Sequence, residues 1–353
     1  PQAWADQMLA DVAAKLLLYK LPVQPLRAQV GPTFARLMVK PGDATDINKV
    51  RNKAAQLRVS LGLPADPLIG FQPGYVSIDV QLPKRRTVAL APLLAARPPD
   101  LAGQTAFPAG QDVAGQTHWL NLADPSSCHL LIAGTTGSGK SEFLKVMLGA
   151  MAHGMTPKQL QFILVDPKRV TFNLTGPSPY LLKPIAYDQD AVMPLLAECA
   201  DEMERRYAVL AARHKSHVSE LTGADAVPRI VLMFDEFADL MHDPGARKEM
   251  EPLLKRLGAK ARASGIHLVL GTQRTEASVV TPLLRSNLPG RVSLRVASEK
   301  DSLLILDAPG AAELLGRGDL LWKQGGDLLR LQSPFVSNAD LEALLKVGVP
   351  AGR

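Results

Sequence analysis

Cysteine is scarce: Cys128 and Cys199 are the only two in 353 residues. They lie far apart without CxxC spacing, which argues against a disulfide framework or a structural zinc site and leaves each expected as a small buried apolar residue. No run approaches the ~18 consecutive apolar residues of a membrane-spanning helix. The first residues, PQAWADQ, lack the basic-then-apolar layout of a secretion signal. The sequence therefore reads as cytoplasmic, and a tether to the cytoplasmic face of a membrane would have to lie outside these residues, which begin at Pro1 rather than Met. Internal repeats and low-complexity tracts are also missing. Charge of one sign is only slightly in excess: Lys+Arg 40 against Asp+Glu 34 gives +6, with a pI near 9.3. That permits a polyanionic partner without requiring one.

What is present is enough apolar material, 46% of residues, for a large core and about two domains. Residues 1–27 read as a helical lead-in, with Met8, Leu9, Val12, Leu16 and Leu17 at helical spacing until Pro22 and Pro25 stop it. Residues 28–100 read as a small α+β domain. Its strands are ARLMVKPG and GYVSIDVQLP, and one helix is expected from Asp46 to Gly62. Residues 101–117, rich in Gly, Ala, Gln and Pro, are expected as a linker. From 118 to 336 five short apolar runs, CHLLIAG, LQFILVD, RIVLMFDE, IHLVLGTQ and GRVSLRV, alternate with longer helical segments. That rhythm predicts an α/β domain with a mostly parallel sheet and helices on both faces. Residues 337–353 are left as a C-terminal tail.

The sequence GTTGSGKS, running Gly134, Thr135, Thr136, Gly137, Ser138, Gly139, Lys140, Ser141, satisfies GxxxxGK[ST] between a strand-like and a helix-like segment. Small residues there let successive backbone N–H groups turn inward around a phosphate, and the helix that follows adds its dipole. Lys140 would reach the β- and γ-phosphates of ATP, and Ser141 would ligate Mg²⁺. The run RIVLMF then ends in Asp235 and Glu236. Asp235 would hold the Mg²⁺ shell, and Glu236 would orient and deprotonate the attacking water. A dedicated base for water points to hydrolysis rather than to a simple kinase or small GTPase. Gln273, at the end of IHLVLGTQ, either senses the γ-phosphate or caps the sheet. Lys255, Arg256, Lys260 and Arg262 lie on an expected basic helix that by itself reads as a solvated face.

Together these stretches, with LVDPKRVTF, DEMERRYAVLA, GAKARASGIHLVLGTQR, LRSNLPGRVSLRVASEKDSLLIL and GAAELLGRGDLL, resemble the motor domain of the FtsK/SpoIIIE family of double-stranded DNA translocases. The small preceding unit is similar to that family's accessory domain. The resemblance implies a RecA-like P-loop NTPase core that assembles as a homo-hexameric ring around double-stranded DNA, with ATP between subunits. It implies Arg262 as the residue reaching the neighbouring subunit's phosphate, with Arg256 as the alternative, and Arg274, Arg285 and Lys300 as pore contacts to DNA. The second pore loop departs from the family's Ser-Lys-x-Asp-Ser-Arg: here it reads Ser298-Glu299-Lys300-Asp301-Ser302-Leu303, with the lysine displaced and leucine in place of arginine. The family's winged-helix module and membrane anchor are not visible in these residues. Secretion motors that move a protein substrate share the same core and form the alternative reading.

Overall fold

The computed structural model describes residues 1–43, 45–174, 176–277 and 279–346. The N-terminal unit opens with α1 (Gln2–Leu18), whose Ala5, Leu9, Val12 and Leu16 are buried. It continues through β1 (Val23–Val30), β2 (Phe34–Pro41), α2 (Ile47–Arg51), α3 (Ala54–Leu61), β3 (Leu68–Gln72) and β4 (Tyr75–Gln81). The four strands form an antiparallel sheet in the order β1-β2-β4-β3. The expected single helix from Asp46 is two. Asp46 caps α2 by accepting from Asn48 N at 3.0 Å, the axis breaks at Asn52-Lys53, and Gly62 closes α3 at φ 63°. Val50 of α2 and Leu57 of α3 both enter the core of this unit.

After α4 (Leu90–Ala95) come β5 (Ala106–Gln111) and β6 (Thr117–Asn121). β5 and the first residue of β6 therefore lie where a linker was expected. Their Gly, Ala and Pro content reflects crowding: a Cβ on Gly110 would press on the backbone of Gln332 in the neighbouring strand. The larger α/β unit follows in chain order: β7 (Leu130–Ala133), α5 (Lys140–Gly154), β8 (Leu160–Val165), α6 (Gln189–Ala212), β9 (Arg229–Phe234), α7 (Phe237–Leu240), α8 (Pro244–Lys260), β10 (Ile266–Thr272), α9 (Pro282–Ser286), β11 (Gly290–Leu294), α10 (Glu299–Leu306), β12 (Asp319–Gln324), β13 (Asp327–Gln332) and α11 (Asn338–Lys346).

All five apolar runs are strands, parallel to one another in the order β8-β9-β10-β7-β11. The sheet then continues antiparallel through β12, β13, β5 and β6, an extension not foreseen from sequence. Helices cover both faces. One apolar layer sits under α6 and α8, and the other under α5 and α11. The supposed C-terminal tail thus contributes a packed helix, with Leu341 and Leu345 buried and Lys145 Nζ donating to Asn338 Oδ1 at 3.0 Å. Residues 347–353 lie outside the described residues. No described helix is long and apolar enough to cross a membrane.

Candidate nucleotide site and neighbouring loops

Strand order decides what meets at the carboxyl end of the sheet. β10 lies between β7 and β9, so the residues that end these three strands converge. Gly134–Gly139 form the turn leaving β7, and Lys140 is the first residue of α5. Gly137 and Gly139 hold φ of 77° and 102°, a region open to glycine and strained for other residues. The turn is pinned on both flanks: Gly134 N donates to Thr272 O of β10 at 3.1 Å, and Thr135 N to Arg295 O, just past β11, at 2.8 Å.

The Lys140 side chain is buried. Its ammonium donates to Asp235 Oδ1 at 2.7 Å and also contacts the Asp235 carbonyl oxygen. Ser141 Oγ donates to the same Oδ1 at 3.4 Å and accepts from Thr171 Oγ1 at 2.8 Å. Asp166 fixes the Thr171 loop by accepting from Thr171 N and Phe172 N at 2.8 and 3.0 Å. Ser141 hydroxyl and Asp235 carboxylate are the hard oxygen donors Mg²⁺ takes alongside phosphate and water. The pair therefore fits that ion as expected. Among the described residues no cluster of three or more His, Cys, Asp or Glu offers a metal site of protein ligands alone.

Glu236 is fully buried. Gln273 N donates to both its oxygens at 3.0 and 3.1 Å, Thr272 Oγ1 to Oε1 at 3.0 Å, and Lys168 Nζ to Oε2 at 3.3 Å. Gln273 accepts at Oε1 from Thr136 Oγ1 at 3.0 Å. The residue thus bridges the P-loop and the acid, rather than merely ending a strand. Lys168, Thr171 and Thr272 went unassigned by sequence reasoning. Only LVDPKRVTF hinted at the first two, as part of a family likeness without a role. A cleft of about 370 Å³ opens beside Thr135–Ser138 and is lined also by Arg295 and Arg317. Neither arginine was singled out from sequence.

The remaining arginines divide. Arg262 is exposed in the turn between α8 and β10, at the amino end of the sheet. The seven residues of β10 put roughly 20 Å between it and its own P-loop. The turn is held from α6: fully buried Arg206 donates to Ser264 O at 2.7 Å and pairs with Glu202 at 2.7 Å, while Tyr207 OH bonds Lys260 O. Arg256 instead pairs with Glu204 at 2.8 Å. On the carboxyl side, Arg274 is exposed with Nη1 against His242, and Lys300 is exposed in the first turn of α10. Thr275 Oγ1 bonds Asp301, which ties the Arg274 loop to the start of α10. Arg285, expected beside them, is committed to structure: Nη1 donates to Leu304 O at 2.9 Å and lies 3.5 Å from Asp307, which also binds Arg291 and Lys323.

A P-loop, a strand ending in Asp-Glu and an intervening strand ending in Thr-Gln form a set that profile comparison extends to a family. The FtsK/SpoIIIE profile matches residues 95–229 and 218–277, more than half of the chain. The chain belongs to the FtsK/SpoIIIE family. Curated relatives include "DNA translocase FtsK" of Lactiplantibacillus plantarum, 34% identical across 94% of this chain and 43% of the relative. The Campylobacter jejuni protein of the same name is 32% identical across 96% of this chain and 37% of its own length. The chain thus spans about two fifths of these FtsK proteins. Among solved structures, the pCW3 conjugation coupling protein TcpA with ATPγS superposes at TM-score 0.64, with 21% identity, over 96% of this chain and 99% of TcpA. The type VII secretion ATPase EccC of Thermomonospora curvata gives 0.62, with 24% identity, over 76% of this chain and 35% of EccC. At such identity these two share the fold.

Proposed function

We propose that this FtsK/SpoIIIE-family chain is the motor unit of an ATP-driven double-stranded DNA translocase, working as a homo-hexameric ring with an ATP site at each subunit interface. The observation that carries the DNA reading is its identity, over nearly its whole length, to proteins named DNA translocases. The paired loops bearing Arg274 and Lys300 support it, because a ring tracking duplex needs a few sequence-independent phosphate contacts.

The chemistry follows from the site. Backbone N–H groups of the P-loop hold the β-phosphate of ATP, and Lys140 turns from Asp235 to the β- and γ-phosphates. Ser141 and Asp235 would hold Mg²⁺, which would supply charge neutralisation at the phosphates. Glu236 takes a proton from the attacking water. Its ties to Gln273 N, Thr272 and Lys168 fix the carboxylate, and Gln273, in contact with Thr136, relays the phosphate's presence to that carboxylate. Arg262 of one subunit reaches the γ-phosphate of the next, since its own P-loop lies at the other end of β10. Differential ATP affinity of closed and open interfaces then moves the Arg274 and Lys300 loops along the duplex.

The test is steady-state ATPase activity with duplex DNA, single-stranded DNA or neither, at low and moderate salt. Stimulation by duplex alone is expected. Basal turnover untouched by any DNA would reject this reading in favour of a secretion-type motor acting on a protein.

A further inference from the structure

Between α10 and β12, Gly316, Arg317 and Gly318 hold φ of 69°, 54° and 88° in succession. Arg317 adopts this region only at a conformational cost, so the segment must be held from outside. The end of β13 binds it, with Gln332 Nε2 donating to Arg317 O at 2.9 Å and Ser333 N to Gly318 O at 2.7 Å, and two further parts of the molecule hold it.

One is the P-loop. Arg317 N donates to Gly137 O at 3.2 Å, and Gly318 N to Ser138 O at 2.7 Å. A Cβ on Gly139 would collide with the backbone of Gly318, so the glycine at 139 allows the approach. The consequence lies in peptide geometry. In a trans peptide C=O and N–H point opposite ways, so clamping the Ser138 carbonyl on one side turns the Gly139 N–H to the other. Phosphate-binding turns are built from such N–H groups.

The other is the N-terminal unit. Arg85, on the segment leaving β4, donates through Nη1 to Leu315 O at 3.2 Å and through Nη2 to Gly316 O at 2.7 Å. Asp319 accepts from Leu315 N at 2.8 Å and binds Arg330 of β13 through both oxygens, at 3.1 and 2.7 Å. Arg330 also donates to Asp79 of β4 at 3.2 Å, and Asp79 accepts from Nε and Nη2 of Arg36 in β2 at 2.8 and 2.9 Å. Asp79, Asp319 and Arg330 are all buried.

We propose that the 315–319 loop is a splint through which the N-terminal sheet sets the shape of the P-loop. Arg85 and Arg330 are positioning residues for ATP affinity, acting through Leu315, Gly316 and Asp319. This rests on the P-loop's binding ATP and is independent of the DNA reading.

Arg85→Ala and Arg85→Lys in the full chain test it, by affinity for a fluorescent ATP analogue, by KM and kcat for ATP, and by melting temperature. Arg85→Ala is expected to raise Kd and KM about tenfold, a loss of ~1.4 kcal/mol, with kcat at saturating ATP falling less than twofold. Arg85→Lys keeps the charge but lacks the planar fork that spans two carbonyls, so it should recover little of the loss. Equal affinity in wild type and Arg85→Ala, or full recovery by lysine, would overturn the splint. Failure of the wild type to bind the analogue would overturn the nucleotide reading and the splint with it. By reciprocity, bound analogue should slow amide exchange in wild-type protein at Arg317, Gly318 and residues 75–81. That measurement stands even if Arg85→Ala does not fold, and unchanged exchange at 75–81 would overturn the proposal.

Discussion

Replacing Glu236 by glutamine is the perturbation whose consequences the structure defines most closely. The carboxylate is fully buried and accepts from Gln273 N, Thr272 Oγ1 and Lys168 Nζ. Glutamine keeps the size and one carbonyl oxygen, which still receives Gln273 N and Thr272 Oγ1. Its amide N–H₂ then faces Lys168, a donor against a cation. Lys168 is 40% exposed and lies 3.6 Å from Asp239, so it has an alternative partner, and the penalty is that of one weakened bond, about 1 kcal/mol. The melting temperature should therefore drop only slightly. Turnover should collapse, because an amide does not take the proton: a missing general base costs about 10²- to 10⁴-fold, or roughly 3–5 kcal/mol of barrier. Analogue binding and ATPase rates on one preparation read both quantities. ATP should bind within a fewfold of wild type and accumulate unhydrolysed. Turnover within threefold of wild type would refute the assignment of Glu236 as the base.

Arg262→Ala should leave analogue affinity of isolated subunits intact and remove turnover of the assembled protein. Unchanged turnover would pass the role to Arg256, whose pairing with Glu204 it would then have to leave. Arg274→Ala and Lys300→Ala should each weaken duplex binding and flatten its salt dependence by about one unit of log–log slope, with basal ATPase preserved; a mutant matching wild type in salt slope would take that residue out of the DNA path. Acid should loosen the sheet's amino end. Burial pushes His129 down to about 4 and His267 to about 3, so the unfolded chain takes up protons below pH 6.5 that the fold refuses. Stability is complete above that pH and falls as pH drops, by up to about 1.4 kcal/mol per unit for each histidine. Urea midpoints equal at pH 7 and pH 5 would contradict this.

The parts of this molecule that were legible in sequence are those whose signal is local. A P-loop needs glycines at fixed spacing, and a strand buried on both faces is a short apolar run. GTTGSGKS and the five parallel strands could therefore be found without a partner in view. β5 escaped because AFPAGQ carries small residues chosen for contact with β13, which in sequence look like a linker. Arg285 looked like a free cation until Leu304 O and Asp307 claimed it. The link from Arg330 to Asp79 joins residues 251 positions apart, and no periodicity or motif encodes such a pairing. Glu236 was identified from its position after a strand, whereas the Lys168, Thr272 and Gln273 backbone ties that aim it depend on the strand order.

The central claim is that ATP turnover moves duplex DNA, and displacement of a triplex-forming third strand from linear duplex measures it directly. Wild-type protein with ATP should release the third strand in proportion to ATP consumed, while ATPγS or Glu236→Gln should not. Duplex-stimulated ATP hydrolysis with no strand release above the ATPγS level would contradict the account.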